Sequence, residues 1–372
     1  MKAYDVIIVG GGLAGLTAAL HLNKKNLNVL VIEKNHYPNH KVCGEYVSNE
    51  VIPYLEYLGV SLDSSFPRIT TLQMSTRSGK SMKTVLPLGG FGISRYALDN
   101  MLYEKAKSKG VAFLFESVSE ITFNDAVFTV TSTAVSTGKV VIGAYGKRSS
   151  LDKKLSREFI QQKSPWLGVK CHYELQDFPT NLVALHNFKG GYGGLSKTED
   201  GSVNFCYLAN FKSFKKYNAI ADFNTHVVSQ NPFLKTFLQE ATPKFKKPLS
   251  IAQISFEKKA AVENHVLMCG DSAGLIHPLC GNGMAMAIHS AKIASDCIIA
   301  YFDSTKQDRN LLEKTYTSLW QDEFSNRLRM GRFVQRLLMS NTVSEATIST
   351  IAKSEKILQT MIKRTHGSPI LV

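Results

Sequence analysis

The sequence predicts an α/β fold, with a doubly wound parallel sheet, an inserted antiparallel sheet and helices closing the C-terminus. Three observations carry that prediction. Residues 4–34 read as strand, glycine turn, helix and strand; residues 165–210 change to short β-rich segments; and HVLMCGD at 265–271 returns to a buried strand ahead of a helix. At 372 residues the chain is long for one core, so two closely packed domains are expected.

In order along the chain, Asp5-Val6-Ile7-Ile8-Val9 is a short β-branched run, as suits a strand buried on both faces. Leu13 to Leu22 is apolar with small residues and predicts a helix ending near Lys24-Lys25-Asn26, before NVLVIE opens the second strand. Residues 93–110 predict a helix with Ala97, Leu98, Met101, Leu102 and Ala106 at its apolar positions, and strands follow at 111–116, 127–132 and 139–144. WLGVKCHYEL, NLVALHNF and SVNFCYLANF, joined by turns such as 197–201, have the pattern of an antiparallel sheet. After the strand at 265–271 a helix runs to about 300, and the remainder is helical.

The formal charge is +14, but the lysines are scattered as pairs such as Lys24-Lys25 and Lys246-Lys247. That distribution predicts a solvated basic surface and no nucleic-acid partner, and leaves peripheral membrane contact open. Six cysteines form no CxxC pair and no metal spacing with histidine, so no metal is predicted and a reducing, cytoplasmic location is expected. The first apolar run is the glycine-rich unit itself, so no leader peptide is expected. No uncharged apolar stretch reaches the roughly 18 residues that span a bilayer.

Gly10-x-Gly12-x-x-Gly15 follows a strand and opens a helix. Gly10 makes the tight turn, Gly12 lets a pyrophosphate approach the backbone, and Gly15 lets helix and strand pack closely. The helix N-terminus faces the anion. Glu33, followed by Lys34, ends the next strand and can accept both hydroxyls of an adenosine ribose, which disfavours a 2′-phosphate. A second constellation lies far along the chain. Gly270-Asp271 stands at a strand end, and Pro278, Gly281-Asn282-Gly283 and Met284 precede or open another helix. The aspartate can hold a ribityl or ribose group, and a glycine-rich helix start offers N–H groups to a flavin ring edge. Together the two constellations predict FAD.

GGGLAGLTAALHL, ISRYALDNML and GDSAGLIHPLCGNGMAMAI resemble the FAD-dependent superfamily of aromatic hydroxylases, flavin halogenases and geranylgeranyl reductases. YPNHKVCGEYVS resembles the geranylgeranyl reductase-like branch, as do Gly274, where hydroxylases usually carry His, and the tail LWQDEFSNRLRMGRFVQRLL. The resemblance implies a Rossmann-like FAD-binding domain of the hydroxylase type in three pieces, 1–72, 93–164 and 258–300. It implies a substrate-binding sheet from 73–92 and 165–257, and C-terminal helices over 301–372. It also implies that Arg95 reaches the FAD phosphates or ribose, and that Cys43 and Glu45 sit near the flavin. For Cys43 structural packing stays open, and for Glu45 a cap on a helix starting near Val47. His277 is the histidine best placed for acid–base work, whereas His172, His186 and His289 read as structural.

Two departures matter. Where the superfamily has GADG, this chain has Gly143-Ala144-Tyr145-Gly146, so NAD(P)H docking is in doubt while FAD binding stands; Lys147 and Arg148 read as a solvated pair, with attraction to phosphates left open. Where relatives carry an aromatic-proline segment, Gly191-Tyr192-Gly193-Gly194 keeps only the tyrosine, which argues against halogenation and opens room for substrate. No lysine stands out for the one halogenases use, and no GxSxG hydrolase elbow is present. The expected function is an FAD-dependent oxidoreductase acting on a hydrophobic small molecule, an isoprenoid, lipid or polyketide, by C=C reduction. The alternative is an FAD-dependent monooxygenase hydroxylating an aromatic or polyketide-type substrate, and a lesser one is a non-catalytic flavin-binding, electron-accepting protein. NAD(P)H or a redox protein would be the electron donor.

Overall fold

The computed structural model describes residues 2–277, 281–339, 362 and 367–372. β1 (Lys2–Val9), α1 (Leu13–Lys24) and β2 (Val29–Ile32) form the opening unit, and Asn26 at φ 62° turns the chain after the helix. Next come β3 (Tyr46–Ser48), α2 (Ile52–Tyr57), β4 (Arg68–Ser75), β5 (Ser81–Gly92) and α3 (Arg95–Ser108). The Ser94 hydroxyl caps α3 by accepting from the Ala97 N–H at 3.0 Å. β6 (Ala112–Leu114), β7 (Glu120–Asn124), β8 (Val127–Thr131), β9 (Val135–Gly143) and α4 (Ser150–Lys154) complete the first half.

The second half begins with β10 (Trp166–Glu174), β11 (Leu182–Phe188), β12 (Gly191–Lys197) and β13 (Val203–Asn210). Helices α5 (Phe211–Phe214), α6 (Ile220–His226) and α7 (Pro232–Glu240) follow. Short strands β14 (Thr242–Pro243), β15 (Leu249–Ala252), β16 (Val262–Glu263) and β17 (Val266–Met268) lead to α8 (Gly283–Asp303) and α9 (Arg309–Met339).

Two sheets organise these elements. The first runs β16-β17-β9-β1-β2-β6, with β8 on β9 and β7 on β8. Its centre is parallel, with Ile8 opposite both Val31 and Ile142, and every residue there is apolar because helices cover both faces. The second runs β14-β10-β13-β12-β11-β4-β5-β3, with β15 on β10, and is antiparallel except where β11 lies parallel to β4. The doubly wound domain with an inserted antiparallel sheet is therefore the fold present, with α8 and α9 as its helical C-terminal part. Strands β3 and β4 also join the second sheet, so 46–48 and 68–72 contribute to it although they lie in the 1–72 stretch of the sequence expectation.

The second sheet has two unlike faces, and strand alternation sets them. Leu167, Val169, Cys171 and Tyr173 of β10 pack with Phe205 and Tyr207 of β13 against Phe223 of α6 and Leu234 and Phe237 of α7. The alternate residues, Trp166, Gly168, Lys170 and His172, therefore look towards the first domain. Among the described residues, no helix is long and apolar enough to cross a membrane.

Candidate active site

The glycine fingerprint is built as its spacing requires. Gly10 has φ +106° and sits against Ala144, so a side chain there would overlap that carbonyl. A Cβ on Gly15 would overlap the Gly10 carbonyl oxygen, which is why α1 can cross β1 so closely. A Cβ on Gly12 would meet only the Arg95 guanidinium, Nη2 at 3.4 Å, so the turn leaves an open cradle with a cation over it. The second constellation folds back onto the first. Gly270, at φ +63°, lies between Ala14 of α1 and Ala287 of α8, whose Cβ atoms stand 3.0 and 3.5 Å from where its own would be. Gly281 (φ +62°) lies against the Tyr46 ring, Asn282 precedes the first residue of α8, Gly283, and Met284 follows buried. Helices α1 and α8 thus pack together near their N-termini, with glycines in the turns that lead into both. These residues fit FAD.

Glu33 is buried at the end of β2, its carboxylate accepting from Gly11 N at 2.7 Å and Asn35 N at 3.1 Å. Lys34 beside it is exposed. The Arg95 fork is bidentate to Asp99, Nε–Oδ1 2.7 Å and Nη2–Oδ2 2.8 Å, and Lys41 joins the same carboxylate at 2.9 Å. Burial would raise the Asp99 carboxyl, but Arg95 and Lys41 overcome it and hold it below the usual range. Pro278 lies outside the described residues.

The loop carrying Cys43 is held to an unusual degree. Four consecutive carbonyls each accept from a side chain of another segment: Lys41 from Lys170 (3.2 Å), Val42 from Lys147 (2.9 Å), Cys43 from Asn204 (3.1 Å) and Gly44 from Ser196 (3.4 Å). The Cys43 thiol is half-buried, and no atom lies within 4 Å of where a Cβ on Gly44 would be. Lys147 is therefore engaged with this loop rather than forming a solvated pair with Arg148.

Glu45 departs from the sequence expectation. It does not cap a helix near Val47; at φ 56° the backbone turns its side chain away, and the carboxylate accepts from Arg95 N at 2.7 Å, the first turn of α3. There it also pairs with Lys170 and with His172 Nε2 (2.6 Å). Glu45 and Lys170 are fully buried and His172 nearly so. Burial alone would push the Glu45 carboxyl up, but the His172 hydrogen bond and the Lys170 ammonium outweigh it and hold the carboxyl low. Sequence reasoning missed Lys170 because its partner is 125 residues away. The available signal was two polar residues, Lys170 and His172, spaced by two on an otherwise apolar strand.

His277 is buried among Trp166, Tyr192 and Phe256, with ring centroids 6.3, 5.4 and 4.7 Å away. Burial pulls its pKa down to about 3, so the ring is neutral near pH 7. Trp166 of β10 adds an aromatic ring to the wall around His277. His186 lies on the helix-covered face, bonded to Ser75 at 2.8 Å and stacked on Phe233.

The sequence departures have visible packing. Tyr145 donates to Met268 Sδ at 3.3 Å, while Gly146 N donates to Ser272 Oγ at 3.0 Å and keeps the turn beside Asp271. Buried Lys259 donates to the carbonyls of Asp271 (2.8 Å) and Lys147 (3.2 Å), and burial lowers its pKa to about 8. A Cβ on Gly274 would stand 2.8 Å from the Trp320 ring of α9, so that helix occupies the space a larger residue would need. A Cβ on Gly194 meets only ordinary contacts, the nearest being Leu185 at 3.4 Å, so the sheet has room there.

Comparison with known proteins agrees with this geometry. The chain matches the family model described as FAD binding domain over residues 3–318. It is similar to a menaquinone reductase of Mycobacterium tuberculosis, 23% identical over 359 residues that cover 90% of this chain and 84% of that protein. Among solved structures it resembles a flavin-dependent brominase (TM-score 0.78, 19% identity, 98% and 95% of the two chains). It also resembles a geranylgeranyl bacteriochlorophyll reductase-like protein from Thermoplasma acidophilum (TM-score 0.77, 19% identity, 98% and 97%). With the fingerprint, the second glycine constellation and this match in agreement, the chain belongs to the FAD-binding domain family and is an FAD-dependent oxidoreductase.

Proposed function

We propose that the protein reduces a carbon–carbon double bond of a hydrophobic small molecule of isoprenoid, lipid or polyketide type. The observation that carries this reading is the Cys43 loop, whose four tethered carbonyls hold a half-buried thiol in one place. Such fixing suits a group that must meet a substrate atom in a set geometry. Gly10, Gly12, Gly15 and the start of α1 would bind the FAD pyrophosphate, and Glu33 the adenosine ribose. Arg95 and Asp271 would flank the chain between, and Gly281, Asn282, Gly283 and Met284 would meet the ring edge. When bound, FAD supplies the redox chemistry, and the protein orients, excludes water and handles protons. Tyr192, Leu208, Leu185 and Met74 give the sheet an apolar wall for the substrate body, and Gly194 leaves a notch in it. Cys43 would then deliver a proton to the carbon opposite the one that receives hydride. The proposed reductant is NAD(P)H or a redox protein, with Tyr145 in place of the usual acid.

A second reading, hydroxylation by a monooxygenase, is favoured by the neutral, aromatic-walled His277, which suits a dry pocket around an electron-rich ring. One experiment separates the two. Purified FAD-loaded protein is photoreduced and given a polyprenyl lipid or a polyketide, with and without oxygen, and the product is weighed by mass spectrometry. A gain of two hydrogens without oxygen supports reduction; a gain of one oxygen atom, seen only in air, replaces it with hydroxylation. Cys43→Ala should keep the flavin absorption bands and lower turnover about a hundredfold. Wild-type turnover in that variant would reduce Cys43 to packing.

A further inference from the structure

The group formed by His40, His172, Glu45 and Lys170 lies outside the glycine-built cofactor site and crosses from surface to interior. His40 is half-buried, stacked on the exposed Tyr96 ring (4.6 Å between centroids) and tilted against Phe245 (4.7 Å). Its ring meets His172 edge-on at 5.2 Å. His172 bonds to Glu45 at 2.6 Å, and Glu45 to Lys170. In strand register Lys170 stands opposite Cys206, Cys206 opposite Gly194 and Gly194 opposite Leu185, so the inner end of the chain opens on the sheet face beside the Cys43 loop.

Ring nitrogens of both histidines and a carboxylate oxygen of Glu45 lie within 4.8 Å of one another, which raises the question of a metal site. The spacing argues against one. Two ligands on a divalent ion at about 2.0–2.2 Å stand roughly 3 Å or more apart, whereas His172 and Glu45 are at hydrogen-bond distance. Lys170 already occupies the other carboxylate oxygen and would repel a cation.

We propose that His40, His172, Glu45 and Lys170 form a relay that passes protons between bulk solvent and the space beside Cys43. Two-electron chemistry on a flavin takes up or releases protons, and a site closed to water needs a route for them. His40 exchanges with solvent and passes a proton, through one bridging water, to His172 Nδ1, and His172 gives up the proton on Nε2 to Glu45. Lys170 donates one proton inward and regains one from Glu45, so every group ends as it began. Burial, with Lys170 and His172 beside it, lowers the His40 pKa to about 4, so the ring is neutral near pH 7 and holds a transferred proton only in passing. The other charged groups facing the chain are Asp200, Lys244 (paired with Asp200 at 2.9 Å) and Arg95, whose backbone N–H binds Glu45. These four are positioning and relay residues for any reaction the flavin performs, so the proposal stands apart from the choice of substrate.

The test follows protons directly. FAD-loaded protein is photoreduced in weak buffer with a pH-indicator dye, and proton uptake is timed beside flavin bleaching. His40→Ala and His172→Gln should each slow uptake at least about tenfold while the flavin spectrum and melting temperature of His40→Ala stay as in the wild type. Added imidazole should restore His40→Ala, because the site it vacates is half open to solvent. Uptake at the wild-type rate in both variants, or slow uptake that imidazole fails to restore, overturns the relay. If His172→Gln fails to fold, His40→Ala with imidazole decides alone.

Discussion

Replacing Glu45 by alanine should destabilise the folded protein by about 3–5 kcal/mol, the scale for breaking a buried ion pair from one side. The substitution strands Lys170, fully buried, and removes the acceptor of His172 and of the first turn of α3. Urea unfolding at neutral pH reads the effect as a lowered midpoint. The double variant Glu45→Leu with Lys170→Met should recover most of the loss, since an apolar pair needs no desolvation. A midpoint for Glu45→Ala within about 1 kcal/mol of wild type would mean that Lys170 finds another partner or gives up its proton. The pH dependence has a definite sign. The Glu45 carboxyl is held low in the folded state, so its contribution is present above the ordinary carboxyl range and is lost as pH falls through the folded value. Wild-type protein should therefore lose stability on acidification more steeply than Glu45→Gln.

Gly15→Ala should abolish tight FAD binding while costing about 1–3 kcal/mol of stability, the scale of overpacking at a fixed contact. The added methyl overlaps the Gly10 carbonyl oxygen and stands 3.1 Å from Ile8 Cγ2, neither of which can withdraw because both belong to the β1 end. Helix α1 must then move outward, carrying away the N–H groups proposed to face the pyrophosphate. Fluorescence titration of apoprotein with FAD should show at least about a tenfold weaker Kd. An unchanged Kd would place the phosphates elsewhere.

These two positions were not equally legible. Gly15 could be read from sequence because its reason is local: a strand, a turn and a helix start within a few residues need a glycine there. Gly270 and Gly281 have local reasons too, at φ +63° and +62°. Glu45 could not be read in that way, because its partners lie on β10 and its neighbour Arg95 opens α3, and only the tertiary fold brings loop, strand and helix together. Glu45 does cap a helix, but the helix is α3, and the turn after Ser48 is capped by Ser48 itself. Trp166 shows the same limit. It lies on β10, two strands from β12, yet its ring reaches the wall around His277, a contact no linear pattern records. Gly274 read as a family mark; its physical reason is Trp320 of α9, 46 positions on in the sequence.

The tethered loop at 41–44 also sets a clock. If each of its four side-chain tethers is worth about 1 kcal/mol net, lifting the loop as a unit costs on the order of 4 kcal/mol. At about 1.4 kcal/mol per decade, the lifted form is then populated roughly once in a thousand molecules. The half-buried Cys43 thiol stays open to small reagents with the loop in place, whereas reagents too bulky to reach it there should react in proportion to the lifted fraction, about a thousandfold more slowly than with an unfolded chain.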